Sequence, residues 1–570
     1  SKGGPRKPCL FDDSVIDSFK NVIDACHAEG AKVSVQLQHA GPDVNQKIAG
    51  YPLVAASPIP SKDGHPTPVI LTTEEIYDII EAYGDAAVRA MKAGIDAVEL
   101  HCAHGYLVST FISPRTNKRV DEFGGCFENR MRFPRLIIEN IKKKTEGKIA
   151  ILARINAQDD VLGGLTLQDS TAVAVYLEEV CKIDALHVSR ATHLNDECMW
   201  APTAIHGGFS SDLVSSIKEV INIPVITVGR FTEPQYADIM VKQGRADLVS
   251  FGRQSLADPE TPNKARDGKL ELMTPCIACL QGCVPNMFQG KPITCLANPF
   301  LGREGELTMA KESKSVLVIG GGLGGMQAAW VSALRGHKVT LVEKSYTLGG
   351  QMRLAAYPPG KGDITNLVRN FIARCDEYGV KVLLNTEATE ELVKEMNPDV
   401  CIVATGATPL VLPIPGINDV GVINAIDLLD GQKACGTKVL VVGGGMVGAE
   451  TAEFLAEQEH EVSIIEFKDK IAGDVAKEHR KYIMEAFDRH NVESITGAKV
   501  AEFYTDGVKY ELADGSVHEV RGFDSVVLAM GSRNYDPISE SLKDIVKETY
   551  VIGDAVRARR ALNATEEALN

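Results

Sequence analysis

At 570 residues the chain is long enough for about three or four domains of roughly 150 residues, and 44% of it is hydrophobic. Its 60 basic residues are outweighed by 76 acidic ones, a net charge of −16, so nothing draws it to nucleic acid or an anionic membrane, and a small-molecule substrate is expected. No apolar run is long enough to span a bilayer, and the opening Ser-Lys-Gly-Gly-Pro lacks the pattern of a secretory signal, so cytoplasm is the expected location. Assembly into a homo-oligomer is left open. The 13 cysteines are diluted over the chain except for four between Cys276 and Cys295, which suits metal binding in a reducing compartment better than disulfides.

To about Glu271, β-branched runs alternate with amphipathic helical stretches. The runs are Val33–Leu37, Ala97–His101, Ile149–Asn156, Ala185–Arg190, Pro224–Arg230 and Ala246–Arg253. None is followed by a Gly-rich dinucleotide turn, so the pattern predicts a (β/α)₈ TIM barrel rather than an open doubly wound sheet. Two strands are missing from the count, and the expected account is that the sequence begins at the third strand of the fold. Catalytic groups of such barrels sit where strands end. That places His101, His104 and Tyr106, in Glu99-Leu100-His101-Cys102-Ala103-His104-Gly105-Tyr106, on the catalytic face. It also places a phosphate group at Gly229-Arg230 and Gly252-Arg253.

The cysteine segment comes next as Cys276-x-x-Cys279-x-x-x-Cys283, then eleven residues, then Cys295. Three close thiolates and a later fourth fit the corners of a [4Fe–4S] cluster. A zinc site, the alternative, more often uses two close pairs.

Two strand–turn–helix–strand segments lie beyond it. In the first, Gly320, Gly322 and Gly325 are followed by Glu343; in the second, Gly443, Gly445 and Gly448 are followed by Glu466, the acid standing eighteen residues after the last glycine in both. Glycines let a pyrophosphate approach the helix N-terminus, and the acid accepts from ribose hydroxyls. Glu466 would repel the extra phosphate of NADP, so NADH is expected over NADPH, although Lys468 and Lys470 stand nearby. Two later strand-like runs, Phe523–Gly531 and Tyr550–Asp554, are expected to complete the first of these domains, with the second inserted in it. The expected boundaries are 1–272 for the barrel, 273–312 for the cluster segment and linker, 313–412 with 521–570 for the first Rossmann-like domain, and 413–520 for the second.

From Cys276 to Asn298-Pro299, and in the order of its segments throughout, the chain resembles the old yellow enzyme family. The similar subgroup contains 2,4-dienoyl-CoA reductase, enoate reductase and trimethylamine dehydrogenase. The resemblance implies FMN in the barrel, a [4Fe–4S] cluster, FAD in the first Rossmann-like domain with Asp554 near its ribityl and pyrophosphate region, and a nicotinamide nucleotide in the second. It implies that Gln36 and Arg154 contact the pyrimidine edge of FMN, that His101 and His104 hydrogen-bond a substrate carbonyl, and that Tyr106 donates a proton. Ser113–Asn117 and Glu128–Arg130 match the family's next segments, with Cys126 where a serine is more usual. His193, before Gly207-Gly208-Phe209, resembles an active-site histidine of dienoyl-CoA reductases; a surface-loop histidine is the alternative. The implied activity is NADH-dependent reduction of the C=C bond of an α,β-unsaturated carbonyl compound: an enoate, a dienoyl thioester or a steroid-type enone. A trimethylamine dehydrogenase-like enzyme passing electrons to an external acceptor, and a non-catalytic electron-transfer subunit, are the alternatives.

Overall fold

The computed structural model describes residues 7–418 and 421–569. One compact unit runs to Ala201 and resumes over Ile205–Gly252; the other comprises Pro202–Ala204 and the chain from Arg253 onward.

The first unit is built on six parallel strands hydrogen-bonded in chain order: β1 (Ser34–Leu37), β2 (Ala97–His101), β3 (Ala150–Asn156), β4 (Ala185–Ser189), β5 (Val225–Thr227) and β6 (Leu248–Val249). These are six of the eight strands of a (β/α)₈ barrel, in the order the six sequence runs predict. In β2 the side chains alternate. Val98 and Leu100 enter an apolar core with Ile76, Ile80 and Tyr83 of the helix Thr73–Lys92, and that leaves Glu99 and His101 on the opposite face. The register pairs Gln36 with Glu99, His101 with Arg154, and Arg154 with His187. One face of the sheet therefore carries Gln36, Glu99, His101, Arg154, His187 and Ser189. The helix Thr73–Lys92 is started by a reciprocal cap between Thr72 and Glu75.

The second unit contains two Rossmann-like sheets. The first has β7 (Ser315–Ile319), β8 (Lys338–Val342), β9 (Lys381–Leu383) and β10 (Val400–Val403), with a late strand, β21 (Glu548–Val551), beside β10. The chain leaves it through β11 (Ala407–Pro409). The second sheet comprises β12 (Val422–Asn424), β13 (Lys438–Val442), β14 (Glu461–Ile465), β15 (Glu493–Ile495) and, after a three-stranded antiparallel sheet (β16, Ala498–Tyr504; β17, Gly507–Leu512; β18, Val517–Arg521), β19 (Ser525–Leu528). The chain returns through β20 (Ser532–Asn534), antiparallel to β11.

One sequence expectation is corrected here. The run 523–531 does not complete the first Rossmann-like sheet: β19 pairs in parallel with β13 and β12, all four of its residues are buried, and only β21 returns to the first sheet. The insertion thus extends to about 531 rather than 520. The compact barrel unit closes at Gly252, and the helices Arg253–Ala257 and Thr261–Arg266 that follow it belong to the second unit. Gln254 donates to the Thr274 carbonyl and accepts from the Cys276 N–H, and Asn298 donates to the Leu256 carbonyl.

Candidate active site

At the C-terminal end of β2 the backbone turns sharply, with His104 at φ 65° and Gly105 at φ 82°. The turn folds His104 back over His101, their ring nitrogens 3.3 Å apart. His104 Nε2 lies 2.7 Å from Ser189 Oγ, and Arg154 Nη2 donates to the same hydroxyl at 3.1 Å. The Ala103 N–H donates to His101 Nδ1 at 3.4 Å, so a single direction of donation runs from His101 Nε2 to His104 Nδ1 and from His104 Nε2 to Ser189. Burial, reinforced by the Arg154 charge, holds both imidazoles well below their usual range, and they are neutral. Both ring nitrogens of His104 are therefore engaged within the protein. This differs from the sequence expectation of two histidines aimed together at one carbonyl oxygen.

Tyr106 lies with its ring centroid 5.0 Å from His101 and 5.0 Å from His193, edge-on to both. His193 is buried, which excludes the surface-loop alternative, and its Nε2 is 2.7 Å from the Asp43 carboxylate. Asp43 carries no sequence motif; only the fold brings the loop after β1 to the loop after β4. Burial pushes the Asp43 carboxyl up, and the hydrogen bond and charge of His193 more than offset this, leaving it below the usual range. A small cavity of about 30 Å³ is lined by His104, His193, Thr192, Ser113, Arg115 and Asp159, among others. Asp159 is a second residue the sequence does not announce: burial raises its carboxyl although Asn156, the Leu165 N–H and Ser113 all donate to it.

For the flavin contacts, Arg154 has a buried Nε with no hydrogen-bond partner, which suits an acceptor on a bound group. Gln36 Nε2 donates to Glu99 Oε1 at 2.5 Å. Near the expected phosphate position, Arg230 is in the left-handed region at φ 56° and donates to the Ile205 carbonyl. Ser210 and Thr227 carry buried, unpartnered hydroxyls, Ser210 beside Gly229. Gly252 lies at the end of the barrel unit, but Arg253 instead lines the cavity of the four cysteines in the second unit.

The four cysteines all line one cavity together with Ile277, Leu280 and Ala297. Ala278 and Leu280, at φ 49° and 51°, turn the loop. The Thr294 N–H donates to the Gly282 carbonyl at 3.0 Å, bringing Cys295 beside the earlier three. A Cβ at Gly282 would lie 2.6 Å from the Thr294 carbonyl oxygen, so the close approach requires glycine. Among the described residues no three His, Cys, Asp or Glu side chains are spaced for a single metal ion. Four thiols around a shared void fit the donor set of a [4Fe–4S] cluster.

A cavity of about 480 Å³ extends from Cys279 and Leu280 past Gly320, Gly322, Glu343 and Asp554 to Met446 and His479. Both Gly-rich turns are tight. A Cβ at Gly325 would lie 1.9 Å from the Gly320 carbonyl oxygen, and one at Gly448 1.7 Å from that of Gly443. Glu343 accepts from the Gly321 N–H at 2.6 Å, and Glu466 accepts from the Gly444 N–H and, at 2.8 Å, the Lys468 N–H. The two acids thus occupy equivalent positions over the two turns. Asp554 accepts from the Arg559 N–H at 2.9 Å, and burial raises its carboxyl. Lys361, half-buried, and Glu450, buried, neither singled out by the sequence reading, form an ion pair in the wall of this cavity.

Residues 1–271 match the NADH:flavin oxidoreductase / NADH oxidase family, and 314–568 match the pyridine nucleotide-disulphide oxidoreductases. An NADH oxidase of Thermoanaerobacter brockii is 39% identical over 97% of this chain and 86% of its own length. The chain belongs to the old yellow enzyme family, in its 2,4-dienoyl-CoA reductase-like subgroup. A cinnamate reductase of Clostridium sporogenes is 32% identical over 98% of this chain and 87% of its own. Among solved structures, a 2-naphthoyl-CoA reductase in complex with 2-naphthoyl-CoA superposes with a TM-score of 0.95 at 31% identity, covering 100% of this chain and 89% of that one. A histamine dehydrogenase from Rhizobium sp. 4-9 superposes at 0.88 with 25% identity, covering 98% and 85%. This old yellow enzyme relative is a flavin-dependent oxidoreductase, with FMN carried by its first matched family and FAD with NAD(P)H by its second. No described helix is long and apolar enough to cross a membrane.

Proposed function

We propose that this protein uses NADH to reduce the carbon–carbon double bond of an α,β-unsaturated carbonyl compound. The observation that carries the reading is the group of buried His101, His104 and His193 with half-buried Tyr106 where the strands end, beside a side chain, Arg154, suited to a flavin. When bound, the cofactors supply a hydride acceptor for NADH (FAD), a one-electron carrier (the [4Fe–4S] cluster held by Cys276, Cys279, Cys283 and Cys295) and a hydride donor to substrate (FMN). The chain's own residues do the rest. A neutral histidine donor on the substrate carbonyl stabilises the negative charge that develops there as the β-carbon is reduced. Because His104 donates to Ser189 in the structure described, substrate binding must exchange one of these internal hydrogen bonds for one to the carbonyl. Tyr106 supplies the proton at the α-carbon, and His193, oriented by Asp43, is placed to act on the phenol. Glu466 holds the nicotinamide nucleotide's ribose diol, Glu343 does the corresponding work for FAD, and Asp554 serves the ribityl and pyrophosphate region of FAD.

The similarity to a histamine dehydrogenase favours a second reading, amine oxidation with electrons delivered to an external acceptor. One anaerobic assay separates them: turnover of NADH with cinnamate and a panel of enones and enoyl thioesters, against turnover of amines with a dye acceptor. NADH-dependent loss of the alkene supports the first reading. Amine-dependent dye reduction without alkene turnover overturns it.

A further inference from the structure

Directly beneath the His101–Arg154 pair lies a second polar layer that the mechanism above does not use. Glu99 is 8% exposed, and its carboxylate is shared: Oε1 accepts from Gln36 Nε2 at 2.5 Å, and Oε2 lies 2.9 Å from His187 Nδ1. An ionised carboxylate has only acceptors to offer, so both partners must present N–H to it. The Gln36 carbonyl oxygen is then turned away from Glu99, and His187 is the Nδ1–H tautomer with a lone pair on Nε2, which is buried and unpartnered. Buried ionisable groups inside a barrel are costly unless paired; here Glu99 and His187 pair with each other, and the Arg154 charge acts on both.

We propose that Glu99 is a positioning residue for the barrel's flavin: it orients the Gln36 amide with its carbonyl toward the pyrimidine edge, and it offsets the Arg154 charge beside that edge. The inference rests on the reading that the barrel holds FMN, which Gln36 and Arg154 contact. The pyrimidine edge presents an N3–H donor flanked by two carbonyl oxygens. A fixed Gln36 oxygen accepts from N3–H, and the unpartnered Arg154 Nε donates to a neighbouring carbonyl. Without Glu99 the Gln36 amide is free to flip and present its NH₂ group, which repels N3–H. The charge balance supports the same view. Burial raises Glu99, but the hydrogen bonds from His187 and Gln36 and the charge of Arg154 act against it and the carboxyl stays below its usual range; burial, with Arg154, lowers His187, which is neutral, although Glu99 acts the other way. Glu99 is thus an uncancelled negative charge next to Arg154, and it opposes the anion that forms when the flavin is reduced.

The test is spectroelectrochemical titration of the FMN in the anaerobically purified holoenzyme, together with FMN affinity measured by fluorescence on the flavin-stripped protein. Glu99→Gln removes the charge and lets Gln36 flip. Oxidised FMN should bind about tenfold more weakly, and the two-electron potential should move positive by the equivalent of a tenfold change, ~30 mV. His187→Leu withdraws a donor from the carboxylate while keeping its charge, and should move the potential in the opposite direction; if Glu99→Gln does not fold, this variant decides alone. A residue that only supports the barrel would change thermal stability and leave the potential where it is. FMN present in the wild type with a potential unmoved by either substitution overturns the inference alone. A wild-type barrel that holds no FMN overturns the function reading and the inference with it.

Discussion

Asp43 and His193 meet at 2.7 Å, both side chains buried, with the Tyr106 ring 5.0 Å beyond the imidazole. The carboxylate fixes which ring nitrogen faces it and leaves the other to act. Asp43→Asn keeps the shape but loses that control. Oxidation of the reduced enzyme by an enone should slow by about tenfold or more, on the scale of a positioned acid–base group, while reduction by NADH is unchanged. Stopped-flow absorbance of the two half-reactions checks this, and equal slowing of both would remove Asp43 from the substrate side.

Tyr106→Phe deletes only the hydroxyl. Reduction by NADH should proceed as in the wild type, and oxidation by an enone should fall by roughly 10²–10⁴-fold. Substrate binding should persist, because the carbonyl donors are histidines. Reoxidation at the wild-type rate would move the proton donor to His193 or to a bound water.

The four cysteines should hold about four irons and four acid-labile sulfides per chain. Cys279→Ala should lose the iron, since its side chain lines both the cluster cavity and the larger cavity beside Gly320. Metal and sulfide analysis of anaerobically purified protein decides it: stoichiometric zinc without sulfide would exclude a one-electron relay.

Glu466 accepts from two backbone N–H groups and should set the preference for NADH. Glu466→Ala should bring the rates of reduction by NADH and NADPH toward parity, because the group that binds the diol and repels the 2′-phosphate is gone. A wild-type preference for NADPH would reverse the assignment.

Glu453, on the helix Met446–Glu457, is 8% exposed, and burial pushes its carboxyl up to about 7 from 4.5. Between those values the folded state holds more protons than the unfolded one, so stability falls as pH rises through the window and the full cost is present above 7. Glu453→Gln should therefore stabilise the protein at pH 8 by up to about 3 kcal/mol and change little below pH 4.5. Denaturant unfolding at the two pH values measures the difference; equal effects at both would show that Glu453 does not titrate with folding.

What the sequence discloses is what local pattern encodes. The strand run Ala97–His101, the two Gly-rich turns with their acids, and the cysteine spacing each lie within about 30 residues, and the structure has all of them where the pattern puts them. The contacts that escape are those made by tertiary closure. Asp43 and His193 lie on loops 150 residues apart in the chain. Glu99 reads in isolation as one polar residue in an apolar strand, although its spacing of two from His101 marks the same face. Ser525–Leu528 is a bare apolar strand that fits either Rossmann-like sheet, and pairing with β12 and β13 decides between them. Arg253 stands after a strand end as a phosphate ligand would, and its place in the wall of the cysteine cavity is a second contact that no local pattern announces.

The antiparallel pair Ala407–Pro409 and Ser532–Asn534 is the doorway through which the second Rossmann-like domain leaves and rejoins its host. Its two ends are neighbours at strand spacing, roughly 4.8 Å, so the domain behaves as a cassette. It can be cut out and the gap bridged by a short turn, or exchanged for the equivalent piece of a relative, without rethreading the host sheet. The choice of electron donor is thereby separable from the chemistry of the barrel, and each is open to change under selection while the other is held constant.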